Sequence, residues 1–294
     1  MTAPHGGEGI ERMPRDTTGR RAAVEARSGG FRRELGLTDL VLTQILYVVG
    51  SGWVGTAAKL GPSHLVFWSL AILLFYIPQA AVVIYLSRLL PIEGGPYQWA
   101  AAALGRFAGF WVAWNLWAYT VVIIAVFGVV IATNLSYLIH EIAPGFTAAS
   151  WYTAAVSTAV IVLFTGVSVA GLRIGKWLQN IGGAAQILTF TGLIVVPLIA
   201  LQRGKPVAYH PWQVEMPAFT LLSLNIFSKM ALGALSGFEY VAILAGECRS
   251  PWRTIGRAVL VACPIIAIMF TLGTASVLAL VPRDQIDRDR KSVV

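Results

Sequence analysis

The stretch LTDLVLTQILYVVGSGWVGTAA, residues 37–58, decides the fold. It is long enough to cross a bilayer core, which takes about 20 helical residues. Near its middle stand Gly50-Ser51-Gly52 and then Gly55, in an otherwise apolar run. Glycine lacks a Cβ and tolerates unwound backbone, and a serine hydroxyl can bond a freed amide or carbonyl. Unwound backbone at membrane depth survives only where protein or a water-filled cavity surrounds it. The pattern is therefore that of a broken membrane helix. Small residues also serve close helix packing, so one such motif alone leaves both readings open.

A second apolar stretch, Leu221–Ala245, is interrupted in the same way. It carries Gly233 and then Ser236-Gly237-Phe238-Glu239. Interrupted helices at corresponding places in two halves of a chain point to a transporter binding site. The punctuation of the following stretches agrees: Pro78 comes 27 residues after Ser51, and Pro264 comes 27 residues after Gly237. An inverted repeat produces such a match.

Outward from these two stretches the chain keeps the same character. Of its 294 residues, 56% are hydrophobic and 12% charged, against about 25% charged in an ordinary soluble domain. Further spans are expected at Leu65–Leu86, Phe107–Leu135, Ser150–Gly171, Ile181–Leu201 and Ala258–Val281. That makes seven transmembrane helices in an all-α integral membrane protein. The runs are too long for barrel strands and do not alternate.

The net charge of +8 does not indicate nucleic acid, because the basic residues sit in short segments between apolar runs. They set orientation. The tail before the first span, the Arg88/Arg106 and Arg173/Lys176 segments and the Arg249, Arg253, Arg257 segment all fall on one side. Only Lys59, Arg203 and Lys205 fall on the other before the last dozen residues. The N-terminus is therefore expected in the cytoplasm of a cell (plasma or inner) membrane, residues 1–36 forming a disordered tail and 37–282 the membrane domain. Residues 283–294 form a polar tail whose basic run, Arg288–Val294, breaks the charge rule on the outer side.

Other chemistry is thin. Cys248 and Cys263 show no metal-ligand spacing, and His64, His140 and His210 read as solvated loop residues. There is no phosphate-binding loop and no nucleophile–base arrangement, so no enzyme, metal or cofactor is expected.

The quoted motifs resemble those of the amino acid permeases of the amino acid–polyamine–organocation superfamily. Besides Gly50-Ser51-Gly52 and Ser236-Gly237-Phe238-Glu239, the chain has Pro91-Ile92-Glu93-Gly94-Gly95-Pro96-Tyr97-Gln98-Trp99 after the second span. It also has Glu247-Cys248-Arg249-Ser250-Pro251-Trp252-Arg253 after the sixth. The resemblance implies a LeuT-type fold of inverted five-helix repeats and a secondary transporter of amino acids or polyamines working by alternating access. By that resemblance the amides of Ser51 and Gly52 hold a carboxylate, and the carbonyls of Val48, Gly233 and Ser236 hold an amino group. Phe238 and the residues around Trp117 shape the pocket or gate. Helix termini suit this division, exposing amides at one end and carbonyls at the other.

Glu239, in the break, is the expected coupling or gating group, with protons or a counter-substrate amino acid as the coupled partner. Lys229 reads as a side chain reaching for the outer interface. Gln186 stands where several relatives carry a lysine in the fifth span. A neutral amide there turns the expectation towards exchange of related amino acids. A seven-helix receptor or sensor and a non-transporting permease fragment are the alternatives. A retinal protein would want a lysine in the last span, which the chain lacks. Because the second repeat stops after two helices, the chain is expected to be a C-terminally truncated permease.

Overall fold

The computed structural model describes residues 33–169, 171–204 and 214–281. The tail up to Arg32, Lys205, His210 and the polar tail 283–294 with its basic run lie outside the described residues. Among the described residues the fold is helical, and the one extended pairing is an isolated parallel bridge between Leu35 and Cys248.

The first span is two helices, α1 (Leu37–Val48) and α2 (Ser51–Ala58), bent by 46°. Val49 and Gly50 between them are extended, with ψ of 119° and 134°. The second span runs through α3 (His64–Ala71), a wide π turn at Ile72–Tyr76 and α4 (Ile77–Leu89). The wide turn lies directly before Pro78, which has no N–H to donate and whose ring crowds the preceding turn of a regular α-helix. After it come α5 (Pro96–Leu104), α6 (Arg106–His140), α7 (Tyr152–Val169) and α8 (Leu172–Gln202). The sixth span is α9 (Leu221–Ser228), a π turn at Lys229–Ala234, and a tight 3₁₀ segment, Phe238–Glu247. The last, α10 (Pro251–Leu280), runs through Pro264 as a single helix.

Six of these segments are long and apolar enough to cross a membrane, or seven with α1 and α2 taken as one broken span. The seven expected spans are all present. Their ends differ, because a helix does not stop where its apolar window stops. The third span extends to His140, α8 begins at Leu172 and α10 at Pro251, so Lys176, Arg253 and Arg257 belong to the first two turns of helices rather than to loops. The matched prolines differ too, since only Pro78 is preceded by a π turn.

The chain divides into two compact units: residues up to Pro96 together with those from Gln179 onward, and Tyr97–Leu178. Within the second, α6 and α7 pack closely. A Cβ on Gly128 would come 3.1 Å from the Ser157 Cβ, and the Tyr152 hydroxyl donates to the Ala132 carbonyl at 3.3 Å.

Within the first unit, α10 lies against α1, α2 and α4. Trp68 stacks on Phe270 at 4.9 Å and donates its indole N–H to the Thr274 hydroxyl at 3.0 Å. Near the start of α1, Leu35, Leu40, Val241, Ala245, Cys248, Ile255 and Ala258 form a buried cluster. Leu35 N donates to the Glu247 carbonyl at 3.0 Å, and Arg249 N to the Leu35 carbonyl at 3.2 Å. Burial pushes the Cys248 thiol up to about 12, and the Glu247 and Asp39 charges add to the shift. It is an inert packing group, as a buried cysteine usually is.

His64 corrects an expectation. It is not a solvated loop residue but fully buried, its Nδ1–H donating to the Gly61 carbonyl at 2.9 Å. A turn immediately before the second span folds the ring inward. His140 is exposed, within hydrogen-bond distance of the Thr147 hydroxyl.

Candidate functional site

The two sequence interruptions become two backbone breaks, and the first unit brings them face to face. At the first break the α-helical ladder ends with Val49 N on the Ile45 carbonyl and restarts with Trp53 N on the Gly50 carbonyl. Between them, the N–H groups of Ser51 and Gly52 bond to no described residue, and both residues are exposed. These are the first amides of α2, so the positive end of its dipole points where they point.

At the second break Leu235 N returns to the Met230 carbonyl across the π turn. Gly237 then takes a φ of +107°, a conformation that only glycine adopts without strain. Its N–H donates to Glu239 Oε2 at 2.8 Å. The Glu239 carboxylate therefore caps the freed amide at the start of the 3₁₀ segment.

Two contacts join the breaks. A Cβ on Gly237 would lie 3.7 Å from the Tyr47 carbonyl oxygen and 3.8 Å from Val48 Cγ2. A Cβ on Gly233 would lie 2.6 Å from Trp53 Cη2, closer than real Cβ contacts come. Val48, Gly233 and Gly237 thus stand together, with Ser51 and Gly52 on the α2 side. Val48 is buried, while Gly233 and Ser236 are partly exposed. The Ser236 hydroxyl is turned back onto the Leu232 carbonyl at 2.7 Å, which leaves backbone as what that residue offers.

The remaining expected site residues are distributed more widely. Phe238 is fully buried, its ring edge-on to Tyr76 at 5.0 Å. It braces span six against span two. Lys229 is exposed on the π turn, in keeping with a side chain directed away from the core. Trp117 lies on α6 in the other unit, 5.1 Å from the Trp114 ring. Gln186 is at the first break itself, where its side-chain amide donates to the Val49 carbonyl at 2.9 Å.

That last bond is one of a series tying α8 to the first span. Asn180 donates to Asp39 Oδ1 at 2.7 Å, and the Thr43 hydroxyl donates to the Gln179 side-chain carbonyl at 3.1 Å. A Cβ on Gly183 would stand 2.5 Å from the Leu42 carbonyl oxygen. The small pair Gly182-Gly183 permits this approach, as small residues do between membrane helices. The Gly94-Gly95 turn is seated similarly on span six. Gly94 N donates to the Ile243 carbonyl at 3.2 Å, and Gly95, at φ +42°, has no room for a Cβ beside Ala242.

The sequence reading missed Trp53, the side chain that touches both breaks. A tryptophan directly after Gly-Ser-Gly was a visible signal, but which glycine it would seat on was not.

The chain from residue 35 to 294 matches the family model described as amino acid permease. This chain belongs to the amino acid permease family. Its relatives include an uncharacterized transporter of Legionella pneumophila, 30% identical over 87% of this chain and 54% of the relative. The gamma-aminobutyric acid permease of Bacillus subtilis is 26% identical over 86% of this chain and 54% of that protein. A probable polyamine transporter of Arabidopsis thaliana is 24% identical over 82% and 48%. This permease chain therefore spans about half the length of the curated relatives it matches. It is a multi-pass membrane protein of a transporter family, not an enzyme family.

Proposed function

We propose that this chain transports amino acids or related amines, binding them between the broken first and sixth spans. The observation that carries the reading is the direct opposition of the two breaks, joined where Trp53 meets Gly233 and Gly237 meets Val48. Unpaired amides of Ser51 and Gly52 supply donors for a carboxylate, and a helix N-terminus favours negative charge there. The carbonyls of Val48, Gly233 and Ser236 supply acceptors for an ammonium. Both kinds of group are backbone, so the site recognises what all amino acids share and leaves the side chain to its surroundings.

The same proposal puts the N-terminus in the cytoplasm of the cell membrane. Charge asymmetry supports it, and so does the bridge from Leu35 to Cys248, which keeps the start of span one and the end of span six at one face. Movement is by alternating access through the lipid bilayer. Glu239 is the group at which protons enter the cycle, unless a counter-substrate drives it instead.

The test is saturable binding and exchange of a panel of amino acids, 4-aminobutyrate and polyamines to the purified chain in lipid nanodiscs, at several pH values. Binding of at least one member, competed by others, is expected. If protons are coupled, Glu239→Gln should flatten the pH profile while some binding survives. No saturable binding by well-folded protein at any pH would contradict the proposal. An unchanged pH profile in Glu239→Gln would leave that carboxylate as the cap of Gly237 N–H and point to a counter-substrate.

A further inference from the structure

Trp53 occupies a singular place among the side chains at the two breaks. The six-membered ring of its indole lies against Gly233, with Cη2, Cζ3 and Cζ2 at 2.6, 3.1 and 3.2 Å from where a Cβ would stand. Its other edge lies against Gly50, with Cδ1 at 3.3 Å from that residue's absent Cβ. One ring system thus bridges from the first break to the sixth span. A Cβ on Gly233 would collide with the ring outright, and one on Gly50 would press on it tightly.

The neighbouring side chains point elsewhere. Ser236 bonds back to Leu232, Phe238 is sealed against Tyr76, and the Glu239 carboxylate is held by Gly237 N–H. Trp53 is only partly buried, and its indole N–H donates to no described residue. A partly exposed aromatic face with a free donor, set between two backbone sites, is available to a ligand.

We propose that Trp53 is the specificity-determining residue of this site and limits it to substrates with small or slender side chains. The inference rests on the reading of the two breaks as the substrate site. A ligand whose carboxylate lies at Ser51 and Gly52 and whose ammonium lies by Gly233 has its α-carbon beside the indole. Glycine, alanine, 4-aminobutyrate or a linear amine leaves the ring on its two glycines. Phenylalanine or tryptophan needs the volume that the indole fills, and can enter only if the ring leaves its seat on Gly233. Discrimination by such a wall is steric, and one or a few methylenes of misfit in a packed pocket are worth roughly 10–200-fold.

The experiment compares competition binding of alanine, 4-aminobutyrate and phenylalanine to wild type, Trp53→Ala and Trp53→Phe in nanodiscs. Thermal unfolding of each variant accompanies the binding data. Wild type is expected to prefer the small ligands. Trp53→Ala should shift the phenylalanine-to-alanine affinity ratio by about tenfold or more towards phenylalanine, with Trp53→Phe in between. If Trp53→Ala does not fold, the Trp53→Phe shift alone decides. A folded variant that binds with an unchanged ratio would overturn the assignment and leave Trp53 as packing. Loss of all binding in wild type and variants alike would overturn the proposed function as well, and so separates the two failures.

Discussion

At Gly52 nothing lies within 4 Å of the place a Cβ would take. A Cβ added there meets nothing beyond its own stretch of helix, so a small side chain need not disturb the fold. It would cover the outward-facing amide next to that of Ser51. Gly52→Val is therefore expected to abolish amino acid binding while membrane insertion and thermal stability stay near wild type. Radioligand binding beside an unfolding curve checks this, and normal affinity in the variant would remove Gly52 from the site. Gly233 is the opposite case, since its missing Cβ is space already taken by Trp53. From sequence the two glycines read alike, as small residues in a break. Which one faces an opening and which one seats a ring depends on a partner about 180 residues away along the chain, and no local pattern carries that.

At the scale of elements, the first break is held from outside by α8. Val49 lies in extended backbone, so its carbonyl has left the helical ladder, and Gln186 supplies the missing donor. A buried carbonyl stripped of its partner costs about 1–3 kcal/mol. Gln186→Leu should lower stability by about that amount and weaken substrate binding, because the break loses the contact that fixes it. Gln186→Met removes the donor and keeps the length of the side chain, so it should behave like the leucine variant. Binding and stability unchanged in both would show that the break holds without α8.

The breaks themselves were legible from Gly50-Ser51-Gly52 and Ser236-Gly237 only as a pair, because small residues alone serve close helix packing as readily and their recurrence in two spans is what points to interrupted helices. The link from Gln186 to the break was not, since a glutamine in an apolar helix does not announce its acceptor. The prolines mislead in a different way. Pro78 and Pro264 keep one spacing, yet a π turn precedes Pro78 while α10 runs on through Pro264. His64 misled because the chain turns inward where polarity suggested a loop.

Across the molecule, burial separates the spans by role. The apolar windows of the third, fourth and fifth spans are only 11% buried, against 44% for the sixth and 50% for the seventh. Faces as apolar and as open as those of α6 and α7 belong in lipid or against further protein, which is the physical content of a membrane fold. Within the first unit, the more buried spans six and seven pack with the broken span one, and these three hold both breaks. The two breaks jointly make the proposed substrate site. Hydrogen–deuterium exchange of the chain in nanodiscs, with and without a saturating ligand from the binding panel, tests it most directly. Exchange should slow at residues 48–53 and 233–239 together, while the ends of α6 and α7 are unaffected. Bound ligand with exchange in both segments unchanged, and protection elsewhere, would contradict the account.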